Sequence, residues 1–164
     1  MSSSIVKQFK IDPWLCMPLL GITEFLKMGS IGHSEENMTK NGYQPIIDNP
    51  ILWPQFEDLY SAIKTEIDKE LEFSWNIHRS WVISYNKDGW QDCHTHHDSL
   101  VSGVLCLIGN KDSGDLEFET GEKINMSQGD MVLFPSTVKH WAYHASLPKT
   151  VLSFDIINVD EDSL

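Results

Sequence analysis

Positively charged side chains are scarce in this chain of 164 residues. Lysine and arginine together number 12 against 24 aspartates and glutamates, which gives a formal net charge of -12, and Arg79 is the only arginine. An acidic surface repels the phosphate backbones of DNA and RNA. A nucleic-acid substrate is therefore disfavoured.

Cysteine is also scarce, and long apolar runs are absent. The three cysteines, Cys16, Cys93 and Cys106, are odd in number and lack the paired spacing of metal-binding motifs. This usage favours free thiols in a reducing cytoplasm over a disulfide-stapled secreted domain. No stretch approaches the length of an apolar membrane span, and the start of the chain has no apolar signal-peptide region. We therefore expect a soluble, cytoplasmic protein that does not associate with membranes.

The first 72 residues predict a strand and helical support. Residues 5–11 alternate apolar and polar side chains, as a half-buried strand does. Residues 21–50 are broken up by glycine, asparagine and proline, which predicts turns around a short helix at 22–28. Over residues 54–71 apolar side chains recur at helical spacing with acidic residues between them, so a long amphipathic helix is expected there.

After residue 72 the sequence changes to short segments rich in β-branched and aromatic residues, separated by glycine and asparagine turns. These segments are residues 73–85, 94–108, 115–120, 122–126, 130–135, 138–144 and 150–159. Such a succession of strands after a helix favours a mainly β fold, a double-stranded β-helix or jelly roll with the helix on an outer face. We expect one domain at 1–164, with the jelly-roll core at 73–158 and a tail at 159–164.

Three histidines have the spacing expected of ligands to one metal ion. Successive strand residues point to opposite faces, so His94 and His96 present their imidazoles to the same side of a strand. A jelly roll folds distant strands back on one another, which lets His140 close the site. Three ligands on one face leave the other positions of an iron centre open for a cosubstrate and oxygen.

Two other interpretations of these histidines stay open. The segment HTHH could be a solvent-exposed polar run at the entrance to a strand. A zinc site that uses Cys93 or Cys106 is less favoured, because Cys93 alternates to the face opposite His94 and Cys106 lies in the apolar run VLCLI.

Five motifs follow one another in a recognisable order over residues 81–155. They are Trp81, HTHHDSLVSGVLCL, GDMVLFPS, His140 and KTVLSFDI. In this order they resemble the iron(II)- and 2-oxoglutarate-dependent oxygenases, and are most similar to a bacterial and phage branch with an HxH...H motif. The resemblance covers about half of the chain, and it implies that His94, His96 and His140 are the catalytic iron ligands.

The resemblance extends to a tyrosine upstream of the histidines. In the prolyl-hydroxylase-like branches a tyrosine nine residues before the first metal histidine can bind the cosubstrate, and Tyr85 has this spacing to His94. The superfamily usually has Asp or Glu two residues after that histidine, where this chain has His96. The lost carboxylate weakens iron binding, because a unit charge pair at about 4 Å is worth about 4 kcal/mol at an effective dielectric of about 20. An alternative ligand set of His96, Asp98 and His140 restores the carboxylate but loses the tyrosine spacing.

The resemblance also implies a site for 2-oxoglutarate. In the superfamily an arginine or lysine at the start of the last core strand holds the far carboxylate, and Lys149 occupies this place. A lysine supplies a point charge without the bidentate fork of an arginine. Ser153 faces the same side of the strand as Lys149 and, like Tyr85, could add a hydroxyl donor. Trp90, Trp141 and Tyr143 could line the pocket beside these residues.

These expectations describe an enzyme, a 2-oxoglutarate-dependent dioxygenase with Fe(II) and 2-oxoglutarate as cofactors. It would couple oxidative decarboxylation of 2-oxoglutarate by oxygen to oxidation of a substrate, most simply a hydroxylation. The substrate could be a protein side chain or a small metabolite. Two alternatives remain: a cupin-type three-histidine dioxygenase or isomerase that does not need Lys149, and a non-catalytic jelly-roll binding protein.

Overall fold

A curled antiparallel sheet dominates the structure, a computed structural model that describes residues 5–29, 39–110, 113–142 and 146–162. Its nine strands are β1 (Lys7–Lys10), β2 (Thr39–Tyr43), β3 (Trp75–His94), β4 (Val101–Ile108), β5 (Asp115–Phe118), β6 (Lys123–Asn125), β7 (Asp130–Pro135), β8 (His140–Ala142) and β9 (Lys149–Asn158). The helices are α1 (Met17–Met28), α2 (Glu57–Asp68) and the short α3 (Val159–Asp162), with single 3-10 turns at Pro13–Cys16, Pro50–Leu52 and Pro54–Phe56. This architecture confirms the predicted jelly roll.

The long strand β3 connects the two halves of the curled sheet. The strand order is β1-β7-β4-β9-β3-β8-β5-β6, and β2 pairs with β3 as well. The first part of β3 pairs with β9, with Tyr85 opposite Lys149. Its last residues pair instead with β8, which places His94 opposite His140. One strand therefore brings the predicted cosubstrate residues and the predicted metal ligands to the same curl.

The two faces of the sheet bury different sets of side chains. One face packs against α2, whose buried residues Leu59, Ile63 and Ile67 lie in one cluster with Leu152 and Phe154 of β9. The periodicity of residues 54–71 predicted this helix, and Glu57–Asp68 confirms it. The other face lines the interior of the curl with a second cluster. Its buried members include Ile83, Tyr85, Val104, Phe118, Phe134 and Val151.

Strand alternation determines which residues of β9 enter the curl. Leu152 and Phe154 pack towards the helices, whereas Lys149, Val151 and Ser153 line the cavity on the other side. This is the two-residue period of a β-strand, and it confirms that Lys149 and Ser153 share a face.

Three boundaries differ from the predictions. Helix α1 begins at Met17 and not near residue 22, because Pro18 is tolerated in the first turn of a helix. Strand β2 lies in the stretch that was predicted to form turns. A strand was expected over 94–108, but only its second part, β4, is a strand. β3 ends at His94, and the residues between β3 and β4 form a loop in which Asp98 has a left-handed conformation.

The stretch between the predicted segments 73–85 and 94–108, where a turn was expected, is an irregularity within β3. Asp88 has a φ of 67°, and a Cβ on Gly89 would lie 2.6 Å from the carbonyl oxygen of Asn41 in β2. Glycine therefore lets β2 approach closely while β3 continues beyond the irregularity. No helix in the part of the chain that the structure describes is long and apolar enough to cross a membrane.

Candidate metal and cosubstrate site

The three predicted histidines converge at one end of the curl. His94 is the last residue of β3, His96 lies in the loop that follows, and His140 is the first residue of β8. One ring nitrogen from each lies within 4.8 Å of the corresponding atoms of the other two. Among the residues described, the structure thus places His94 beside His96 and His140, whereas Asp98 is exposed and does not line this site.

Hydrogen bonds on the outer nitrogens orient two of the rings. The Nδ1 of His94 donates to the carbonyl oxygen of Asp92 at 2.7 Å, and the Nδ1 of His140 donates to that of Val138 at 3.0 Å. A carbonyl oxygen can only accept, so Nδ1 carries the proton in both rings. In the neutral imidazole the lone pair is then on Nε2, the nitrogen available to a metal ion.

The spacing of the inner nitrogens fits a shared metal ion. The Nε2 atoms of His96 and His140 are 3.2 Å apart. Two nitrogens that each lie about 2.1 Å from one ion are separated by about 3 Å when the angle between them is near 90°. The residues present therefore suit a divalent transition metal with positions left open opposite the three rings.

Burial keeps His94 and His140 neutral. Desolvation, together with the neighbouring His94, lowers the pKa of His140 from 6.5 to about 3. Desolvation also lowers the pKa of His94, with a smaller opposing effect from its hydrogen bond to Asp92. Neutral imidazoles are the form that binds metal ions, so no proton has to be removed from these rings at neutral pH.

A buried carboxylate holds the third histidine. Asp155 on β9 is fully buried, and its Oδ1 accepts from the Nδ1 of His96 at 2.7 Å and from the hydroxyl of Ser102 at 2.6 Å. Its Oδ2 accepts from the Nε of Arg79. Burial acts to raise the pKa of Asp155, but the hydrogen bonds from His96, Ser102 and Arg79 outweigh it and hold the pKa below its usual value.

Asp155 was not among the predicted site residues. It lies two residues beyond Ser153, and residues at this spacing share a face of the strand. The alternation that linked Lys149 to Ser153 could therefore have indicated Asp155 as well.

Lys149 lies buried at the cavity. Its side chain is 6% exposed, and its Nζ is 3.4 Å from the carbonyl oxygen of Gly114. Burial lowers the pKa of Lys149, with nearby Cys106 and Asp115 acting in the opposite direction. Tyr85 borders the same space and donates its hydroxyl to the Oε1 of Gln91 at 3.2 Å.

One partly open cavity joins the two groups of residues. Its lining includes the three histidines with Tyr85, Lys149 and Ser153, together with Trp81, Gln91, Val104, Leu116, Met126, Ala142 and Val151. The structure thus brings all six predicted site residues to one space.

Of the tryptophans near the site, Trp81 and not Trp90 or Trp141 borders the cavity. The indole of Trp81 stacks on the ring of His96 with centroids 5.5 Å apart. The indole of Trp141 donates to Glu117 at 3.0 Å on the opposite face of β8. Tyr143 lies outside the described residues.

No protein-family model matches this sequence, and no curated protein matches it. Solved structures do match. A prolyl-4-hydroxylase from Pseudomonas putida has a TM-score of 0.70 at 16% identity, over 93% of this chain and 92% of that chain. A prolyl hydroxylase from Trichoplax adhaerens, in complex with a hypoxia-inducible factor peptide fragment, has a TM-score of 0.74 at 13% identity, over 96% and 86% of the two chains.

A third matching structure carries ligands. HygX from Streptomyces hygroscopicus, with nickel and 2-oxoglutarate bound, has a TM-score of 0.69 at 10% identity, over 94% of this chain and 83% of that chain. At such identities the likeness establishes the fold. The chain has the double-stranded β-helix fold of the 2-oxoglutarate-dependent oxygenases.

Proposed function

We propose that this chain is an iron(II)- and 2-oxoglutarate-dependent oxygenase, most simply a hydroxylase. The observation that carries the proposal is the meeting of three converging imidazoles and a buried lysine at one cavity in this fold. His94, His96 and His140 would hold the iron, and Lys149 would pair with the far carboxylate of 2-oxoglutarate. When bound, iron supplies the activation of oxygen that decarboxylates 2-oxoglutarate to succinate and oxidises the substrate.

The residues around the cavity have three tasks in this proposal. The two backbone carbonyls behind His94 and His140 keep their Nε2 lone pairs directed inward. Lys149 supplies a positive charge in a space that is otherwise largely apolar, where an ion pair with a carboxylate is stronger than in water. Apolar side chains such as Val104, which line the space, limit the access of water.

Ser153 and Tyr85 complete the proposed cosubstrate site. Both line the cavity with Lys149, and a hydroxyl donor can orient a carboxylate that a lysine alone holds loosely.

We propose a single domain in which residues 1–72 support the jelly-roll core. The three free cysteines favour a reducing, cytoplasmic location. The substrate in this proposal is a protein side chain or a small metabolite.

A cupin-type dioxygenase without 2-oxoglutarate is the second candidate, because the converging group consists of three histidines and no carboxylate. In that enzyme the substrate itself chelates the metal, and Lys149 has no required partner. The two candidates therefore differ in whether 2-oxoglutarate binds and whether succinate forms.

The deciding experiment is anaerobic titration of the protein with ferrous iron and 2-oxoglutarate, followed by admission of oxygen and measurement of succinate. We expect one equivalent of iron, binding of 2-oxoglutarate that depends on iron, and slow formation of succinate even without substrate. His140→Gln should abolish both binding steps. His97→Ala is the matched control, because this exposed histidine neighbours the site without belonging to the converging group.

Each result of the titration has a clear meaning. Iron binding without 2-oxoglutarate binding or succinate would favour the cupin-type candidate. Absence of stoichiometric iron would reject both enzymes and leave a non-catalytic binding protein.

A further inference from the structure

We propose that Asp155 is a positioning residue for the metal, and that Arg79 holds it in place. This inference rests on the proposed function. The usual carboxylate of the superfamily is absent from the second ligand position, where this chain has His96. The structure places a carboxylate directly behind that imidazole, with Asp155 Oδ1 2.7 Å from His96 Nδ1.

The contact determines which nitrogen of His96 faces the other histidines. A carboxylate accepts, so Nδ1 of His96 donates, and in the neutral imidazole the lone pair is then on Nε2. That Nε2 lies 3.2 Å from the Nε2 of His140. A carboxylate behind a metal-bound histidine fixes its ring and makes it a stronger donor to the metal. Asp155 therefore supplies negative charge to the site through His96 and not by direct coordination.

Arg79 connects this carboxylate to the loop that carries His96. Its Nε donates to Asp155, and its Nη2 donates to the backbone carbonyl of His97. The same Nη2 lies 3.3 Å from the hydroxyl of Ser99. The only arginine of the chain thus links β3, β9 and the loop between β3 and β4 at the place where His96 must be held.

A purely structural role explains these contacts less well. Asp155 is fully buried, and placing a charge in the interior costs more than an isolated ion pair with a half-exposed arginine returns. Ser102 adds a further donor to Asp155 at 2.6 Å, and its hydroxyl is 2.8 Å from that of Ser136. Three side chains, Arg79, Ser102 and His96, donate to the carboxylate, and of these only His96 belongs to the converging group of histidines.

The test is the affinity of the metal-free protein for cobalt(II), measured by calorimetry and by the visible absorption of the bound ion. Asp155→Asn removes the charge and should weaken binding by about 10- to 100-fold. It should also shift the cobalt absorption, because the donor strength and orientation of His96 change. Thermal unfolding of each metal-free variant shows whether the fold is retained.

Asp130→Asn is the matched control. Asp130 also forms an ion pair with a basic side chain, Lys10, and accepts a backbone hydrogen bond, but it does not line the cavity. Asp130→Asn should leave the cobalt affinity and spectrum unchanged.

A second variant, Arg79→Gln, covers the case in which Asp155→Asn does not fold, because Arg79 is partly exposed. Its expected loss is smaller, below about 10-fold, and Arg79→Lys should restore part of it.

The outcomes separate this inference from the proposed function. If the wild-type protein binds no cobalt, the proposed metal site, and with it the proposed function, is contradicted. If the wild-type protein binds cobalt while a folded Asp155→Asn or Arg79→Gln variant keeps the same affinity and absorption, Asp155 has only a structural role and the inference is overturned.

Discussion

The ammonium group of Lys149 lies 5.4 Å from the centre of the Tyr85 ring, on strands that pair at these two residues. An aromatic ring attracts a cation, but it does not replace the water that burial removes. The remaining polar contact described for the ammonium is a long one, 3.4 Å to the carbonyl of Gly114. Lys149 is thus held at the cavity at a cost in folding free energy that a bound carboxylate would offset.

This arrangement predicts that function and stability respond oppositely to a change at Lys149. Lys149→Met keeps the apolar stem and removes the charge. We expect iron-dependent binding of 2-oxoglutarate to be lost, while the free energy of unfolding of the metal-free protein rises by about 1 kcal/mol. Calorimetric titration and urea unfolding measure the two effects.

Lys149→Arg is the companion variant for this prediction. It retains a positive charge and should keep part of the 2-oxoglutarate affinity. A Lys149→Met protein that still binds 2-oxoglutarate as tightly as wild type would remove the lysine from the cosubstrate site. If Lys149→Met were less stable than wild type, the ammonium group of Lys149 would be stabilised in the folded protein more strongly than its contacts indicate.

The stacking of Trp81 on His96 predicts an optical signal for metal binding. The centroids are 5.5 Å apart with planes inclined by 28°, so an ion held by His96 lies close to this indole. Cobalt(II) should therefore quench part of the tryptophan fluorescence. Trp81→Phe should remove that part, and Trp14→Phe, at an indole that is 80% exposed, should leave it unchanged. Equal quenching in both variants would place the ion elsewhere.

The parts of the fold that the sequence predicted are those governed by local periodicity. Apolar spacing located α2, and the alternation of β9 placed Lys149 and Ser153 on one face. The convergence of His140 with His94 and His96 followed from the resemblance and from the return of distant strands in a jelly roll. These predictions needed only a strand or helix period together with the topology of one fold.

The missed features depend on contacts between distant segments. β2 consists of TKNGY, a sequence with little strand propensity, and it forms because β3 offers a free edge. The irregularity at Gly89 has the composition of a turn, and only the approach of β2 makes it part of a strand. The place of Asp155 behind His96 depends on a contact between residues that are 59 positions apart in the sequence.

Burial of Cys106 predicts a loss of stability at high pH. Desolvation raises the pKa of this thiol from 9.0 to about 12, although nearby Lys149 acts to lower it. Above about pH 9 the unfolded chain loses the thiol proton while the folded chain keeps it, so the unfolded state binds fewer protons. The free energy of unfolding should then fall by about 1.4 kcal/mol per pH unit from this group.

Urea unfolding under reducing conditions at several values between about pH 9 and pH 11 measures this slope. Cys106→Ala should make the slope shallower by about 1.4 kcal/mol per pH unit, whatever it does to stability at neutral pH. The exposed Cys93 provides the control, since Cys93→Ala should leave the slope as it is in wild type. A Cys106→Ala slope equal to that of wild type would contradict the prediction.

Two glycines should respond in opposite directions to the same added methyl group. A Cβ on Gly103 in β4 would meet the ring of Phe154, its buried partner on β9, whereas a Cβ on Gly21 in α1 would have no heavy atom within 4 Å. Gly103→Ala should lower the free energy of unfolding by about 1–3 kcal/mol, because the ring must move within a packed core. Gly21→Ala should raise it by about 0.5–1 kcal/mol through helix propensity. Gly103 faces the helices, so Gly103→Ala should lower stability without greatly changing the cavity on the other face of the sheet. We therefore expect the folded Gly103→Ala protein to bind cobalt nearly as tightly as wild type. A large loss of that affinity would show that packing against Phe154 also sets the position of Asp155, the next residue of β9.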